Sequence, residues 1–440
     1  MFRQMAGMAM LLCLGFATWP SAEASIAAEG AVASSSYWSL RQAHDDSVRL
    51  SPDAIQTLNR KIRERSGSMQ DLSSFPEYLT GQEVSRRIYA AMQDFLPADR
   101  PDVYAPDPDH LLTQEAWESV RANCHAPISE KDVTLRYAVT VKRSDIRLLP
   151  LAEGWYSSPN DIHYDLLQGT AVDPAQAVLV LRDSLDGNFQ FVLTCDYAGW
   201  IDTSRLAFTD RATWLNYLCP DDFAVVTDHK KNISANGCPA VYQMGAVIPC
   251  RDQPDGTARL ILPLKDRDGR LISYETPAVF DETLHHGYLP YSRQQTIHQA
   301  FRFLGDVYGW GGQDESVDCS SFVQNVYKSM GIFLPRDADQ QERAMPVKHD
   351  PEGMTTEERY AMVRASEPGD LLFKPGHVMM YLGTDDGGIP RVIHAASSYF
   401  DYRIDRKKHY IRRVIVSDLT YQNGEGISSI DGLSCIGSLP

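Results

Sequence analysis

Residues 318–322 read Asp-Cys-Ser-Ser-Phe, between a glycine-rich turn at 308–312 (Tyr-Gly-Trp-Gly-Gly) and an amphipathic stretch. Apolar residues recur from Ser320 to Met330 at the spacing of one helical face, and Gly331 then supplies a stop. The pattern places Cys319 in the first turn of a helix, where unpaired amides and the positive end of the dipole favour a thiolate. Because a thiolate attacks a carbonyl carbon far better than a thiol does, Cys319 is a candidate nucleophile of a cysteine hydrolase.

A cysteine nucleophile needs a base that takes its proton and a partner that orients the base. His377 begins a predicted strand after a Pro-Gly turn and His394 lies in the next one, so both rings could lie beside the Cys319 helix. Tyr308 and the amide of Cys319 are candidate oxyanion donors. Each residue alone has a structural alternative, such as a buried cysteine, a satisfied histidine or, for Asp318, a helix cap. Their occurrence together favours a Cys-His-His relay.

The length, the net charge and the N-terminal pattern of the chain indicate its domain count, the partners it excludes and its export. Its 440 residues predict two to four domains, and its net charge of −16 argues against a nucleic-acid partner or an anionic membrane surface. Arg3 precedes an apolar run that ends at Trp19 and is followed by Ala-Glu-Ala at 22–24, which is typical of a signal peptide cleaved after Ala24. The run is too short for a membrane anchor, and no later segment is long enough. We expect export without stable membrane insertion.

Cysteine usage fits an exported chain. An odd count after cleavage suggests pairs plus one free thiol, which would be Cys319. Cys238 and Cys250 could clip one hairpin or could both be isolated buried thiols, and the pairing stays open. The adjacent His285-His286 lack a third ligand at suitable spacing, so we expect no metal site and no cofactor. The seven cysteines that remain after cleavage are Cys124, Cys195, Cys219, Cys238, Cys250, Cys319 and Cys435.

The spacing of apolar residues changes along the mature chain and divides it into four predicted segments. Helix starts at Ser51 and Thr80 mark a helical N-terminal segment, residues 25–132. Predicted strands, in which every second residue is apolar, then flank Asp-Gly turns at 186–187 and 268–269. This pattern indicates two small β-barrels, residues 133–210 and 211–284. Residues 285–440 read as helices followed by antiparallel strands. We therefore predict a multi-domain chain that ends in an α+β domain.

Residues 288–440 resemble the NlpC/p60 family of papain-like cell-wall cysteine peptidases. The resemblance implies a papain-like catalytic domain with Cys319 as nucleophile, His377 as base, His394 as the orienting residue and Tyr308 near the developing oxyanion. Ser321 stands where many members carry glycine, and a small residue there leaves the mechanism intact. The matching segments are 308–312 (Tyr-Gly-Trp-Gly-Gly), 318–320 (Asp-Cys-Ser), 334–336 (Leu-Pro-Arg), 368–371 (Pro-Gly-Asp-Leu), 377–378 (His-Val), 381–383 (Tyr-Leu-Gly) and 393–395 (Ile-His-Ala).

The upstream part is similar to family members that carry an N-terminal clip and two bacterial SH3-like domains. The similar segments are 143–147, 165–168 and 199–201. This likeness implies cleavage between γ-D-glutamate and a diamino acid, L-Lys or meso-diaminopimelate, in peptidoglycan stem peptides. It also implies that the first barrel narrows the cleft, which favours peptides with a free N-terminal L-alanine. Asp318 and Ser320 occupy the positions expected to hold that amine, since a carboxylate pairs well with an ammonium group.

We therefore expect an exported enzyme of the periplasm. It would be a monomeric cysteine endopeptidase that acts on peptidoglycan stem peptides or muropeptides during wall turnover or recycling. One alternative is a cell-wall-binding scaffold protein with an inactive papain-like domain. Another is an amidase or acyltransferase on the same fold. Whether the substrate is intact wall or a released fragment, and which diamino acid is preferred, stays open.

Overall fold

The computed structural model describes residues 26–42, 47–92, 102–105, 111–124, 132–159 and 162–440. The expected signal peptide, residues 1–24, lies outside these ranges. Within them, no helix combines the length and the apolar character that a membrane span requires.

The N-terminal segment is helical, as predicted. The Ser51 hydroxyl accepts a hydrogen bond from the Ala54 amide (3.3 Å), and Pro52 occupies the first turn of the helix that follows. The Thr80 hydroxyl starts the next helix by accepting from the Glu83 amide (3.1 Å). The elements are α1 (Ser35–Gln42), α2 (Pro52–Ser66), β1 (Tyr78–Thr80), α3 (Gly81–Met92), α4 (Gln114–Cys124) and β2 (Asp132–Thr134), with β1 paired to β2.

This segment is anchored on the C-terminal domain. The Trp38 ring is 1% exposed and lies over Gly383, where a Cβ atom would come within 3.1 Å of the indole. The Asn59 side chain donates to the Gly331 carbonyl (2.8 Å) and accepts from the Phe333 amide (2.9 Å). Trp38 therefore belongs to the same apolar core as helix residues of the C-terminal domain.

The first barrel is a seven-stranded antiparallel sheet in the order β5-β4-β8-β7-β6-β3-β9. The predicted Asp-Gly turn at 186–187 joins β6 to β7. A buried ion pair between Arg147 and Asp165 fixes the long loop that follows β4. The strands are β3 (Arg136–Thr140), β4 (Ser144–Arg147), β5 (Gln168–Val172), β6 (Ala177–Asp183), β7 (Phe189–Leu193), β8 (Ala198–Asp202) and β9 (Leu206–Thr209), and α5 (Arg211–Leu218) follows.

The second barrel combines a five-stranded sheet, β15-β14-β13-β10-β16, with the β11–β12 hairpin. Its last strand extends through His286, two residues beyond the predicted boundary, because Ala224 on β10 pairs with His286. Cys238 is exposed and Cys250 is buried, and both thiols are free, as are the other five described cysteines. The strands are β10 (Phe223–Val226), β11 (Lys230–Ala235), β12 (Cys238–Gln243), β13 (Val247–Asp252), β14 (Ala258–Lys265), β15 (Leu271–Pro277) and β16 (Leu284–His286).

The C-terminal domain has the predicted α+β layout. Its helices pack against a six-stranded antiparallel sheet in the order β17-β22-β18-β19-β20-β21. The helices are α6 (Arg293–Phe301), α7 (Cys319–Lys328), α8 (Ala338–Ala344) and α9 (Thr356–Arg364). The strands are β17 (Val347–His349), β18 (Leu371–Lys374), β19 (His377–Thr384), β20 (Pro390–Tyr399), β21 (His409–Ser417) and β22 (Cys435–Ser438).

Trp38→Ala should lower the free energy of unfolding by about 3–5 kcal/mol, because it empties a closed site between the N-terminal segment and the C-terminal domain. Chemical denaturation of the full chain measures the change. Leu40→Ala is the matched control, since Leu40 is 76% exposed and its loss should change stability by less than about 0.5 kcal/mol. Equal effects of the two variants would show that Trp38 does not anchor the segment.

Candidate active site

Helix α7 begins at Cys319, as the sequence predicts. Asp318 caps the helix by accepting from the Ser321 amide (2.8 Å), and the Ser321 hydroxyl accepts from the Asp318 amide (2.9 Å), which completes a capping box. Ser321 thus contributes a cap that glycine could not supply. The Cys319 side chain is 8% exposed and belongs to the core of the domain.

The Asp318 carboxylate is also half of a buried ion pair with Arg336. Two guanidinium nitrogens reach its two oxygens, at 2.6 and 3.2 Å. The Gly311 amide (3.1 Å) and the Ser320 hydroxyl (3.2 Å) are further donors, so with Ser321 the carboxylate accepts five hydrogen bonds. Burial favours the neutral acid, but Arg336 and these donors outweigh it and lower the pKa of Asp318.

Arg336 and the glycine turn join the site to the first barrel. The Arg336 Nε donates to the Thr170 hydroxyl (2.6 Å), and the Gln168 side chain donates to the Gly311 carbonyl (2.9 Å). Gly311 and Gly312 have φ values of +57° and +83°. A Cβ atom on Gly311 would lie 2.5 Å from the Gln168 side chain. The glycines are therefore needed for backbone conformation and for the close approach of the barrel.

His377 and His394 lie within hydrogen-bonding distance of each other, because β19 pairs with β20. His377 Nε2 lies 2.8 Å from His394 Nδ1, and His394 Nε2 lies 3.0 Å from the Ser417 hydroxyl, which donates to the Asp418 carbonyl (3.0 Å). Ser417 must then accept from His394 Nε2–H, so His394 Nδ1 accepts from His377 Nε2–H. This series of bonds leaves the Nδ1 lone pair of His377 free to take a proton.

Cys319 lies beside the first residues of β19, close enough for the Val378 amide to favour its thiolate. Burial nevertheless dominates, and with the Asp318 carboxylate it raises the pKa of Cys319 to about 12. The expectation of a thiolate stabilised by the helix start is therefore wrong for the resting site. Desolvation of the thiolate exceeds the stabilisation that the helix terminus provides.

The histidines are also neutral at rest. Burial, the neighbouring His394 and the Lys374 ammonium lower the pKa of His377 well below its usual range. Burial and Lys374 lower the pKa of His394 to about 3. The Cys319 thiol and the His377 imidazole are therefore both uncharged at rest.

Lys374 and Tyr421 are two residues of the site that the sequence reasoning missed. Burial lowers the pKa of Lys374 to about 8, and its ammonium donates to the Ser429 hydroxyl (2.8 Å) and lies 4.4 Å from the centre of the Tyr421 ring. Tyr421 in turn stacks on His394, with ring centres 5.6 Å apart. Lys374 follows the predicted Leu-Leu-Phe strand directly, but its burial depends on residues more than forty positions away.

Tyr308 is buried and lies near Cys319 and Asp318. Burial, followed by the nearby Cys319 and Asp318, raises the pKa of Tyr308 well above its usual range, so its hydroxyl stays a donor. Its ring is 6.3 Å from that of Tyr164 on the first barrel. The first barrel therefore packs close to Tyr308 and Cys319.

Residues 305–417 match the model of the NlpC/P60 family, and residues 155–202 match an SH3 domain model of the SH3b1 type. The C-terminal domain is an NlpC/P60 domain. An NlpC/P60 endopeptidase from Photobacterium damselae subsp. piscicida shares the overall fold, with a TM-score of 0.68 at 16% identity over 89% of this chain and 92% of that one. The predicted combination of a papain-like domain with SH3-like barrels is thus confirmed.

Two curated proteins resemble parts of the chain. "Dipeptidyl-peptidase 6" of Lysinibacillus sphaericus is 32% identical over 92 residues, which are 21% of this chain and 30% of that protein. "Gamma-D-glutamyl-L-lysine dipeptidyl-peptidase" of Bacillus cereus is 32% identical over 96 residues, 20% of this chain and 25% of that protein. The matches therefore span less than a third of either relative.

Lys374→Met should move the acidic limb of the pH profile of kcat/KM to higher pH. The lowered pKa of His377 keeps it a neutral base below its ordinary value of 6.5, and activity falls only as pH drops through that lowered pKa. Removing the ammonium removes one cause of the lowering, so the pKa rises. Lys348→Met, at an exposed lysine, is the control and should leave the profile unchanged. An unchanged or acid-shifted limb in Lys374→Met would contradict this electrostatic coupling.

Proposed function

We propose that this chain is an exported cysteine endopeptidase that hydrolyses the amide bond between γ-D-glutamate and L-Lys or meso-diaminopimelate in peptidoglycan stem peptides. The observation that carries the proposal is the directed series Asp418–Ser417–His394–His377, which leaves one basic nitrogen free in the strand beside Cys319. The name of the Bacillus cereus relative supports the substrate class. The expected signal peptide supports export.

In this proposal Cys319 is the nucleophile, His377 the base and His394 the residue that orients it. His377 takes the thiol proton while sulfur attacks the γ-carbonyl carbon, because neither group is charged beforehand. The Cys319 amide and the Tyr308 hydroxyl donate to the oxyanion. Collapse of the intermediate transfers the proton from His377 to the leaving amine and forms a thioester with Cys319. Water then attacks the thioester with His377 as base, which releases the acid and restores the thiol.

The recognition of a free L-alanine amine needs an accessible negative charge. Asp318 already accepts five hydrogen bonds and is matched by Arg336, and Ser320 accepts from Arg336 (2.9 Å). Asp337 is only partly buried, and among the described residues the Gln340 side chain donates to it (2.8 Å). Burial, together with nearby carboxylates, raises the pKa of Asp337 to about 6. We therefore propose that Asp337 pairs with the ammonium group, while Asp318 and Ser320 shape the pocket through Arg336.

The competing functions make different demands on the site. A scaffold protein would have no use for a base whose tautomer is fixed by three successive hydrogen bonds, which favours catalysis. An amidase or an acyltransferase would use the same thiol and differ in the bond that breaks or in the acceptor. Mass analysis of the products from L-Ala-γ-D-Glu-diaminopimelate and from intact sacculi separates these reactions and also distinguishes fragments from intact wall.

Cys319→Ala and His377→Ala should each lower kcat on the tripeptide by about 10⁴-fold or more, because each removes an essential member of one catalytic unit. His394→Ala should lower kcat by roughly 10- to 100-fold, since the base remains but loses its orientation. Initial rates of diaminopimelate release measure all three. Near-wild-type release by Cys319→Ala, in a variant with native circular dichroism, would refute the proposed nucleophile.

Asp337→Asn should raise KM for the tripeptide with a free amine by about tenfold and leave cleavage of its N-acetylated form nearly unchanged. Asp318→Asn should impair both substrates equally, because it loosens Arg336 and the cap of the catalytic helix. The comparison of KM for the two substrates across the two variants measures the selectivity. If Asp318→Asn alone were selective for the free amine, the charge that reads the amine would belong to Asp318.

A further inference from the structure

An ammonium group without a carboxylate partner lies in the active site. Lys374 ends β18, and its Nζ donates to the Ser429 hydroxyl (2.8 Å) and lies 4.4 Å from the centre of the Tyr421 ring. Among the described residues, Ser429 is its one hydrogen-bond acceptor, and no carboxylate contributes to its pKa. A lysine ammonium has three donors, so this arrangement uses one of them. The site therefore holds a positive charge that no described carboxylate neutralises.

The surroundings of Lys374 suit an anion that arrives from solution. Burial lowers the pKa of Lys374 to about 8, and the one nearby group that raises it is Cys319 in its ionised form. The ammonium therefore lies close to the nucleophile. A desolvated cation is stabilised when a carboxylate binds beside it. The Lys374 side chain is only partly buried, so a ligand in the cleft can reach it.

Sheet register places Lys374 next to the base. Lys374 is paired directly with His377 across the hairpin of β18 and β19, and its ammonium is close enough to lower the pKa of the His377 ring. Directly paired residues of antiparallel strands share one face, with Cβ atoms about 4.5–5.5 Å apart. In the proposed mechanism, His377 returns its proton to the amine nitrogen of the diamino acid. A carboxylate on the α carbon of that residue, two bonds from the nitrogen, is then within reach of Lys374.

The order of the strands assigns Lys374 to the leaving-group side. Strands β19 and β20, which carry the two histidines, lie between β18 and β21. Tyr308 lies beyond β21, to which its amide is hydrogen-bonded, and its ring is close to Tyr164 of the first barrel. Lys374 and the first barrel therefore flank the histidines from opposite sides. With the L-alanine amine bound at Asp337, next to the Arg336 that reaches the first barrel, the diamino acid lies on the side of Lys374.

We infer that Lys374 binds the carboxylate on the α carbon of the diamino acid, the residue that leaves with the new amine. This inference rests on the proposed function and names its substrate class: stem peptides in which the diamino acid is C-terminal. A stem peptide that continues beyond the diamino acid carries an amide at that position and offers Lys374 no negative charge. The site therefore favours released tripeptides over longer stem peptides.

Calorimetric titration of two matched ligands into the signal-free chain carrying Cys319→Ala tests the inference. The ligands are L-Ala-γ-D-Glu-L-Lys and its C-terminal carboxamide, which differ in that one carboxylate. At about pH 7, below the pKa of Lys374, the ammonium is charged. We expect the acid to bind about tenfold or more tightly than the amide, and Lys374→Met to abolish this difference. Lys374→Arg should retain most of it, and Lys348→Met, at an exposed lysine, is the control that should retain all of it.

Three results would overturn the inference: equal binding of the two ligands to the parent, no saturable binding of either, or the same preference for the acid in Lys374→Met and Lys348→Met. A Lys374-dependent preference that follows amidation of the D-glutamate α-carboxylate instead would assign the lysine to D-glutamate and also overturn it. Circular dichroism verifies the fold of Lys374→Met, and Lys374→Gln replaces it if it does not fold.

The binding measurement is separate from turnover, because Cys319 is absent from the chain that is titrated. A chain with native Cys319 that cleaves neither ligand would refute the proposed function, whereas Lys374-dependent binding of the acid would still be observed. Cleavage of both ligands with equal kcat/KM, together with equal binding, would instead refute the role of Lys374 and leave the proposed function standing.

Discussion

The buried ion pair between Asp318 and Arg336 is the constraint on which the site depends. Its carboxylate starts the helix that carries Cys319 and holds the amide of Gly311, and its guanidinium reaches Thr170 on the first barrel. One ion pair therefore sets the positions of Cys319, of the glycine turn and of the adjoining strand of the first barrel. A buried charge that loses its partner costs about 3–5 kcal/mol, so removal of either residue alone should destabilise the site.

Burial also leaves the Cys319 thiol and the His377 imidazole neutral at rest. Desolvation of the Cys319 thiol and of the His377 imidazole disfavours the charged form of each group. The relay through His394, Ser417 and Asp418 compensates by fixing which nitrogen of His377 is basic, and the Lys374 charge keeps both rings deprotonated. In the proposed mechanism, this neutral resting state suits a general base that acts during attack better than a preformed ion pair.

Local patterns in the sequence were enough to predict the start of the helix at Cys319, the strands that carry His377 and His394, and the hairpins of the barrels. These features depend on neighbours within a few residues, through caps, turns and periodicity. The raised pKa of Cys319 could not be predicted in this way, because it comes from desolvation by the whole fold. The same limit applies to Lys374, whose partners Ser429 and Tyr421 are distant in sequence and are brought close only by the tertiary fold.

Covalent catalysis by Cys319 is tested most directly by intact-mass spectrometry of the chain quenched in acid during turnover of L-Ala-γ-D-Glu-diaminopimelate. The proposed mechanism predicts a species heavier by one L-Ala-D-Glu acyl group, with the added mass located on Cys319 after digestion. Turnover that proceeds with the acyl group on another residue, or that continues in Cys319→Ala, would contradict it.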